Sequence, residues 1–157
     1  MSEIRGTSPE EYAGAFQHFE EIPYRYRLET YESQYQGQNT WEEYAKNVVL
    51  TEHDTDVMQQ RLRLAGDSWH DHMDARGRHH AVATIEDIES WCKDLIADRA
   101  RRTVYGYYFL RVYNFYDHLK YSTDHPHLYN PVLLAATRYP ASRKIWMYRV
   151  DKRSQTK

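Results

Sequence analysis

Apolar and polar positions along this 157-residue chain recur with a helical period, not the strict alternation of strands. The strongest run lies between about 102 and 121, where Tyr105, Phe109, Val112, Tyr116 and Leu119 follow four-three-four-three spacing. Tyr108 and Phe115 widen that seam, as for a helix near the centre of a bundle. Met58, Leu62, Ala65, Trp69 and Met73 predict a second long helix after Asp54-Thr55 that ends before Gly77. A third is predicted to start at Thr84 as N-cap, with Asp87 three residues on and Ile85, Ile88, Trp91 or Cys92, and Leu95 inward.

Other start signals predict shorter helices. Ser8-Pro9-Glu10-Glu11 offers a hydroxyl cap, proline at the first helical position and a carboxylate behind it, with Tyr12, Ala15, Phe16 and Phe19 on one face and Pro23 as the stop. Thr40-Trp41-Glu42-Glu43 reads as a second capping box, with Trp41, Tyr44 and Val48 inward. Asn130-Pro131 announces a last helix carrying Val132, Leu133 and Leu134. Residues 24–39 read as a polar connector, and Arg143 to Val150 alternate too weakly to assign to docking, extension or mobility. The expected fold is all-α, a compact bundle of about four to six helices. Residues 1–39 would form a helical arm and connector, 40–137 the helical domain, and 138–157 a basic tail or linker.

Composition sharpens this picture in three places. The apolar share of 41% leans on 15 Tyr and 4 Trp, which cover large areas and keep a polar atom free to reach solvent or a partner. The one cysteine, Cys92, excludes an internal disulfide and a cysteine-based zinc site, and fits a reducing compartment. No stretch approaches the roughly 18 apolar residues of a membrane span, and Met1 to Glu11 is polar, so an intracellular, DNA-associated protein without membrane contact is expected.

Charge divides the chain. The net value of -2 conceals 9 Lys/Arg against 19 Asp/Glu over residues 1–97, and 12 against 4 over 98–157. Clustered cations of this kind point to an anionic partner, or to a basic segment that folds back on the acidic half.

Three pieces of the pattern carry a family resemblance. They are the long helix from Arg61-Leu62 to Trp69 followed by Met73-Asp74-Ala75-Arg76-Gly77, the Thr84-Ile85-Glu86-Asp87-Ile88 helix start, and the run from Tyr108-Phe109 through Val112 to Phe115-Tyr116 and Leu119. With Tyr129-Asn130-Pro131 behind them, residues from about Thr40 to Ala136 resemble the SAM-like core-binding domain of tyrosine recombinases and phage-type integrases. The resemblance implies a four-helix domain that grips one face of duplex DNA while a separate catalytic domain grips the other. That family's chemistry needs a tyrosine nucleophile with arginines, a lysine and a His-x-x-Arg pair to stabilise the displaced phosphodiester. No His-x-x-Arg occurs in this sequence and only 21 residues follow Ala136, so no catalytic residue is assigned and no cofactor is implied.

The candidate nucleic-acid contacts begin with Arg99, Arg101 and Arg102, placed ahead of the aromatic helix where guanidinium groups and backbone N–H groups would meet phosphate together. Arg111 lies off the seam and is expected to be exposed, and Lys120 sits near the helix end. Arg61 and Arg63 would supply a second surface, which the resemblance puts in or beside the major groove. Arg143, Lys144, Arg149, Lys152, Arg153 and Lys157 make a basic tail able to follow a backbone without selectivity. Tyr107 and Tyr113 fall off the main stripe, where they would stack on bases or bind phosphate if they do not serve packing.

The histidines raise a metal question. His70 and His72 bracket Asp71, and His79-His80 follow, but residues two apart on a helix point different ways and no cysteine is near, so no metal is assigned. His125-Pro126-His127 reads as a turn, and the nine histidines would add positive charge and favour binding in mild acid. The expected partner is double-stranded DNA, with a homo-oligomer or a catalytic recombinase as further partners. The competing reading is a helical interaction or dimerisation module whose acidic and basic halves meet complementary surfaces; a metal-dependent enzyme centred on the histidines is the weakest.

Overall fold

The computed structural model describes residues 8–155, with side chains from 8 to 148, and every regular element within them is helical. Six helices form the body: α1 over 40–52, α2 at Asp56–Ala75, α3 at Ile85–Asp98, α4 over 101–121, α5 at Pro131–Arg138 and α6 at Pro140–Gln155. Two of them carry a π-helical stretch, Ala45–Val49 in α1 and Val104–Phe109 in α4. All-α is thus the observed class.

Side-chain caps open three of the helices, two of them, Thr84 and Asn130, as predicted and the third at Thr55. Thr55 accepts from the Met58 amide at 3.1 Å to open α2, and Asn130 Oδ1 accepts from Val132 at 3.0 Å to open α5. At α3 the box is reciprocal, Thr84 Oγ1 accepting from Asp87 N at 3.1 Å while Asp87 Oδ2 accepts from Thr84 N at 2.8 Å. Gly77, with φ +72°, ends α2 in the left-handed conformation that a side chain would resist, and Arg78 N returns to Met73 O at 3.1 Å.

Helix α4 is the centre, packed against α1, α2, α3, α5 and α6. Its seam residues Phe109, Val112, Phe115, Tyr116 and Leu119 are buried, and Tyr105 is only half-buried. Trp69 of α2 and Trp91 of α3 meet edge-to-face with ring centroids 4.9 Å apart. Their indole N–H groups are satisfied, Trp69 donating to His80 O at 2.9 Å and Trp91 to Ser68 Oγ at 3.1 Å. Tyr116 also donates to His80 O, at 2.7 Å, and accepts from Ala83 N at 3.1 Å, which fixes the loop between α2 and α3 on the core. Truncating any of these rings to alanine costs about 3–5 kcal/mol on core precedent.

Four expectations change. The arm is not a helix from Ser8 to Pro23: Pro9–Tyr12 makes one 3-10 turn, Ser8 caps nothing with its side chain, and Phe19–Glu21 is a separate turn. Residues 24–39 are not a polar connector, because 3-10 turns and a short helical turn at Glu32–Tyr35 bury Leu28 and Tyr35, while Leu28 N donates to Tyr129 OH at 2.8 Å. Ala13, Ile22 and Leu28 thereby join the same core as the helical body. At α1 the cap is Asn39, whose side chain accepts from Glu42 N at 3.1 Å, and Thr40 is buried one position inside. The stretch after Pro140 is no free tail. Ile145 and Trp146 are fully buried, and the buried Glu89 carboxylate receives Ala141 N at 2.9 Å and Ser142 N and Oγ at 2.8 Å each, pinning the start of α6.

Candidate anion site

The basic residues of the second half separate by what they touch. Arg143 binds Glu10 at 2.9 Å and Arg138 binds Glu20, so part of the basic surface is met by the acidic arm of the same chain. Arg99 binds Asp98 at 2.8 Å and lies 5.2 Å over the Tyr108 ring. Lys120 sits at the far end of α4, 5.2 Å over Tyr121. Arg101 and Lys144 are exposed. Arg149, Lys152, Arg153 and Lys157 lie outside the residues whose side chains are described.

Arg61, Arg102 and Arg111 come together. With Tyr105, Tyr107 and Tyr148 they line a cavity of about 390 Å³ between α2, α4 and the middle of α6. No carboxylate lines it among the described residues. The α4 wall is made of two neighbouring rows, Arg102-Gly106-Leu110 and Thr103-Tyr107-Arg111, four residues apart along each row. Gly106 leaves open space where a Cβ would stand. Arg61 reaches in from α2, its guanidinium carbon 5.4 Å over the Tyr107 ring.

Arg111 is the least satisfied of the three. Contrary to the exposure its place off the seam predicts, it is half-buried; among the described residues its Nε is buried without a hydrogen-bond partner, and Nη1 meets Met58 Sδ at 3.8 Å. Burial first, then the positive charge of Arg61, lowers its pKa from the ordinary guanidinium value, while Tyr44 weighs the other way. A guanidinium stays charged at neutral pH even so, which leaves a concentrated positive field with an unused donor. A carboxylate or phosphate placed in the cavity would offset that field.

The second candidate surface divides instead of assembling. Arg63, two residues from Arg61, turns into a different cavity of about 510 Å³ between α1 and α2. That cavity is larger, but Glu42 and Asp67 line it and Lys46 is already bound to Glu42 at 2.6 Å, so its positive groups are offset. Beside the arginine site a smaller hollow of about 260 Å³ shares Arg61 and Tyr107 and adds Val57, Gln60 and Leu64. Val57 and Leu64 are exposed at 56% and 45%. Tyr113, offered from the sequence as a second stacking residue, instead packs against Trp146 with centroids 5.9 Å apart.

The histidines are structural in their contacts. His80 Nε2 accepts from Trp41 N at 3.1 Å, and burial, then His70 and His79, push its pKa down to about 2. His127 Nε2 bonds Ala81 O at 2.7 Å and burial lowers it to about 4. His72 and His125 are also lowered, chiefly by burial. Mild acid therefore does not simply add charge at these four rings; it opposes their burial. Among the described residues no three of His, Cys, Asp and Glu gather as a metal-binding group. The Cys92 thiol is buried and pushed up to about 12, and burial raises Tyr35 and Tyr44 to about 12, so these groups are held in their protonated forms.

Sequence reasoning found Arg61, Arg102 and Arg111 but missed Tyr105, Gly106 and Tyr148 as their companions. The four-residue rows on α4 were readable; Tyr148 was not, because the helix that carries it had too weak a period. No described helix is long and apolar enough to cross a membrane. Comparison with family models, with characterised proteins and with solved structures returns no match.

Proposed function

We propose that this chain is a duplex-DNA-binding module related to the core-binding half of tyrosine recombinases, holding phosphates without carrying out strand chemistry. The observation that supports it is the gathering of Arg61, Arg102 and Arg111 around one cavity that no described carboxylate lines. Exposed Arg101 extends the positive surface beyond the cavity. The all-helical body fits the resemblance, and the protonated, buried tyrosines Tyr35 and Tyr44 offer no ready nucleophile. The interaction-module reading draws on the same charge asymmetry, but the pairs Glu10–Arg143 and Glu20–Arg138 already join the two halves within the chain.

Phosphate neutralisation releases counterions, so affinity must fall steeply with salt, by a slope of about -0.9 per phosphate contacted in log–log form. Fluorescence anisotropy with a generic labelled duplex should show salt-sensitive association, and Arg61→Gln with Arg102→Gln should lower the slope by about two. Arg78→Gln should leave the slope unchanged. No association at low salt, or a slope indifferent to the cavity arginines, would overturn the reading; light scattering that finds a stable oligomer without nucleic-acid binding would favour the interaction module.

A further inference from the structure

The cavity is shaped for more than a passing backbone phosphate. A phosphodiester in a duplex carries one charge and is flanked on both sides by sugar, whereas three guanidinium groups converge here in a hollow of about 390 Å³. That volume is within the roughly 300–1,000 Å³ of small-molecule sites. A terminal phosphate monoester carries about -1.5 to -2 and three free oxygens, which suits three fork-shaped guanidinium groups around one hollow. Directly alongside lies the hollow of Val57, Leu64 and the Tyr107 ring, the last exposed at 39% and shared by both. An aromatic face next to a cationic pocket is the arrangement on which a nucleobase stacks while its phosphate is held.

We infer that Arg61, Arg102 and Arg111 with the Tyr107 shelf form a terminal-nucleotide site, taking the phosphate monoester and adjoining base of a nucleic-acid strand end or a free nucleoside monophosphate. The inference rests on the phosphate-binding reading of the cavity and narrows it. Gly106 provides a clean test, because its Cβ position is open and either Gln or Glu raises helix propensity over glycine.

The probes are one oligonucleotide duplex with a 5′-phosphate, a 3′-phosphate or hydroxyl at both ends, labelled at an internal base and measured by anisotropy at fixed salt. The phosphorylated ends should bind at least about tenfold tighter than the hydroxyl form. That preference should vanish in Gly106→Glu, which places a carboxylate among the arginines, and be reduced much less in Gly106→Gln, which adds the same bulk without the charge, with thermal melting showing both folded. Tyr107→Ala should weaken a nucleoside monophosphate competitor and leave inorganic phosphate competition unchanged. Competition by the free nucleotide as strong as by the strand end identifies the small molecule as the source; stronger competition by the strand end identifies nucleic acid. Equal affinity for phosphorylated and hydroxyl ends, with salt-sensitive duplex binding intact, overturns this inference and leaves the broader reading standing; loss of all duplex binding overturns both.

Discussion

Two arginine groups in this protein sit on opposite terms with their surroundings. Arg76 and Arg78, just after α2, converge on Asp87, whose carboxylate is fully buried and receives Arg76 Nε at 2.5 Å, Arg78 Nε at 2.7 Å and the Thr84 amide. Burial presses that carboxyl upward, and the Thr84 amide with the two guanidinium groups outweighs it and holds the pKa below the ordinary aspartate value. Arg61, Arg102 and Arg111 converge on a cavity with no described carboxylate, and the Arg61 charge adds to burial in opposing that of Arg111. The first group is charge used to close the fold. The second is charge left concentrated, with no carboxylate among the described residues lining its cavity. Counting cations cannot distinguish them; their partners do.

The sharpest way to break the first group is Asp87→Ala, which strips the α3 capping box and leaves two guanidinium groups facing a buried void. Removing one partner of a buried pair costs about 3–5 kcal/mol, and a urea denaturation midpoint should fall accordingly with the m-value unchanged. Next comes acid. His80 and His127 have folded pKa values depressed to about 2 and about 4, so their contribution to stability is complete above the unfolded value of about 6.5 and is lost as pH falls below it. Each costs up to about 1.4 kcal/mol per pH unit, so unfolding free energy should drop by about 2–3 kcal/mol between pH 6 and pH 5. His80→Gln should flatten that slope by nearly half, and an acid limb unaltered by it would remove the assignment.

The smallest stability change is expected in the second group. Arg61→Gln removes a charge that opposes its neighbour Arg111 and breaks no ion pair among the described residues, so the midpoint should move by less than the equivalent of about 0.5 kcal/mol. A large loss would mean that the cavity arginines hold the fold together, and the contrast with Arg76 and Arg78 would fail.

Much of the body was readable from the chain. Thr84 and Asn130 announce their helices because a short oxygen-bearing side chain satisfies amides that a helix start leaves open, and that chemistry is local. The arm was misread for the complementary reason. Pro9 and the aromatic residues Tyr12, Phe16 and Phe19 have a helical spacing, but 3-10 turns satisfy the chain once Ala13, Ile22 and Leu28 find their burial against distant elements. Helix α6 shows the same dependence: Trp146 and Ile145 dock, and the anchor at Glu89 lies 52 and 53 residues earlier, which no window along the chain can reveal. The site was half legible. Its arginines stood out by type and position off the seam, whereas the burial of Arg111 and the approach of Arg61 from another helix are products of packing.

Arginine Nε–Hε resonances report residue by residue which guanidinium groups meet phosphate. On titration with duplex DNA, the Arg61 and Arg102 Nε–Hε signals should shift downfield, while those of Arg76 and Arg78, already bound to Asp87, stay in place. Movement confined to Arg76 and Arg78, or binding that leaves Arg61 and Arg102 unchanged, would contradict it.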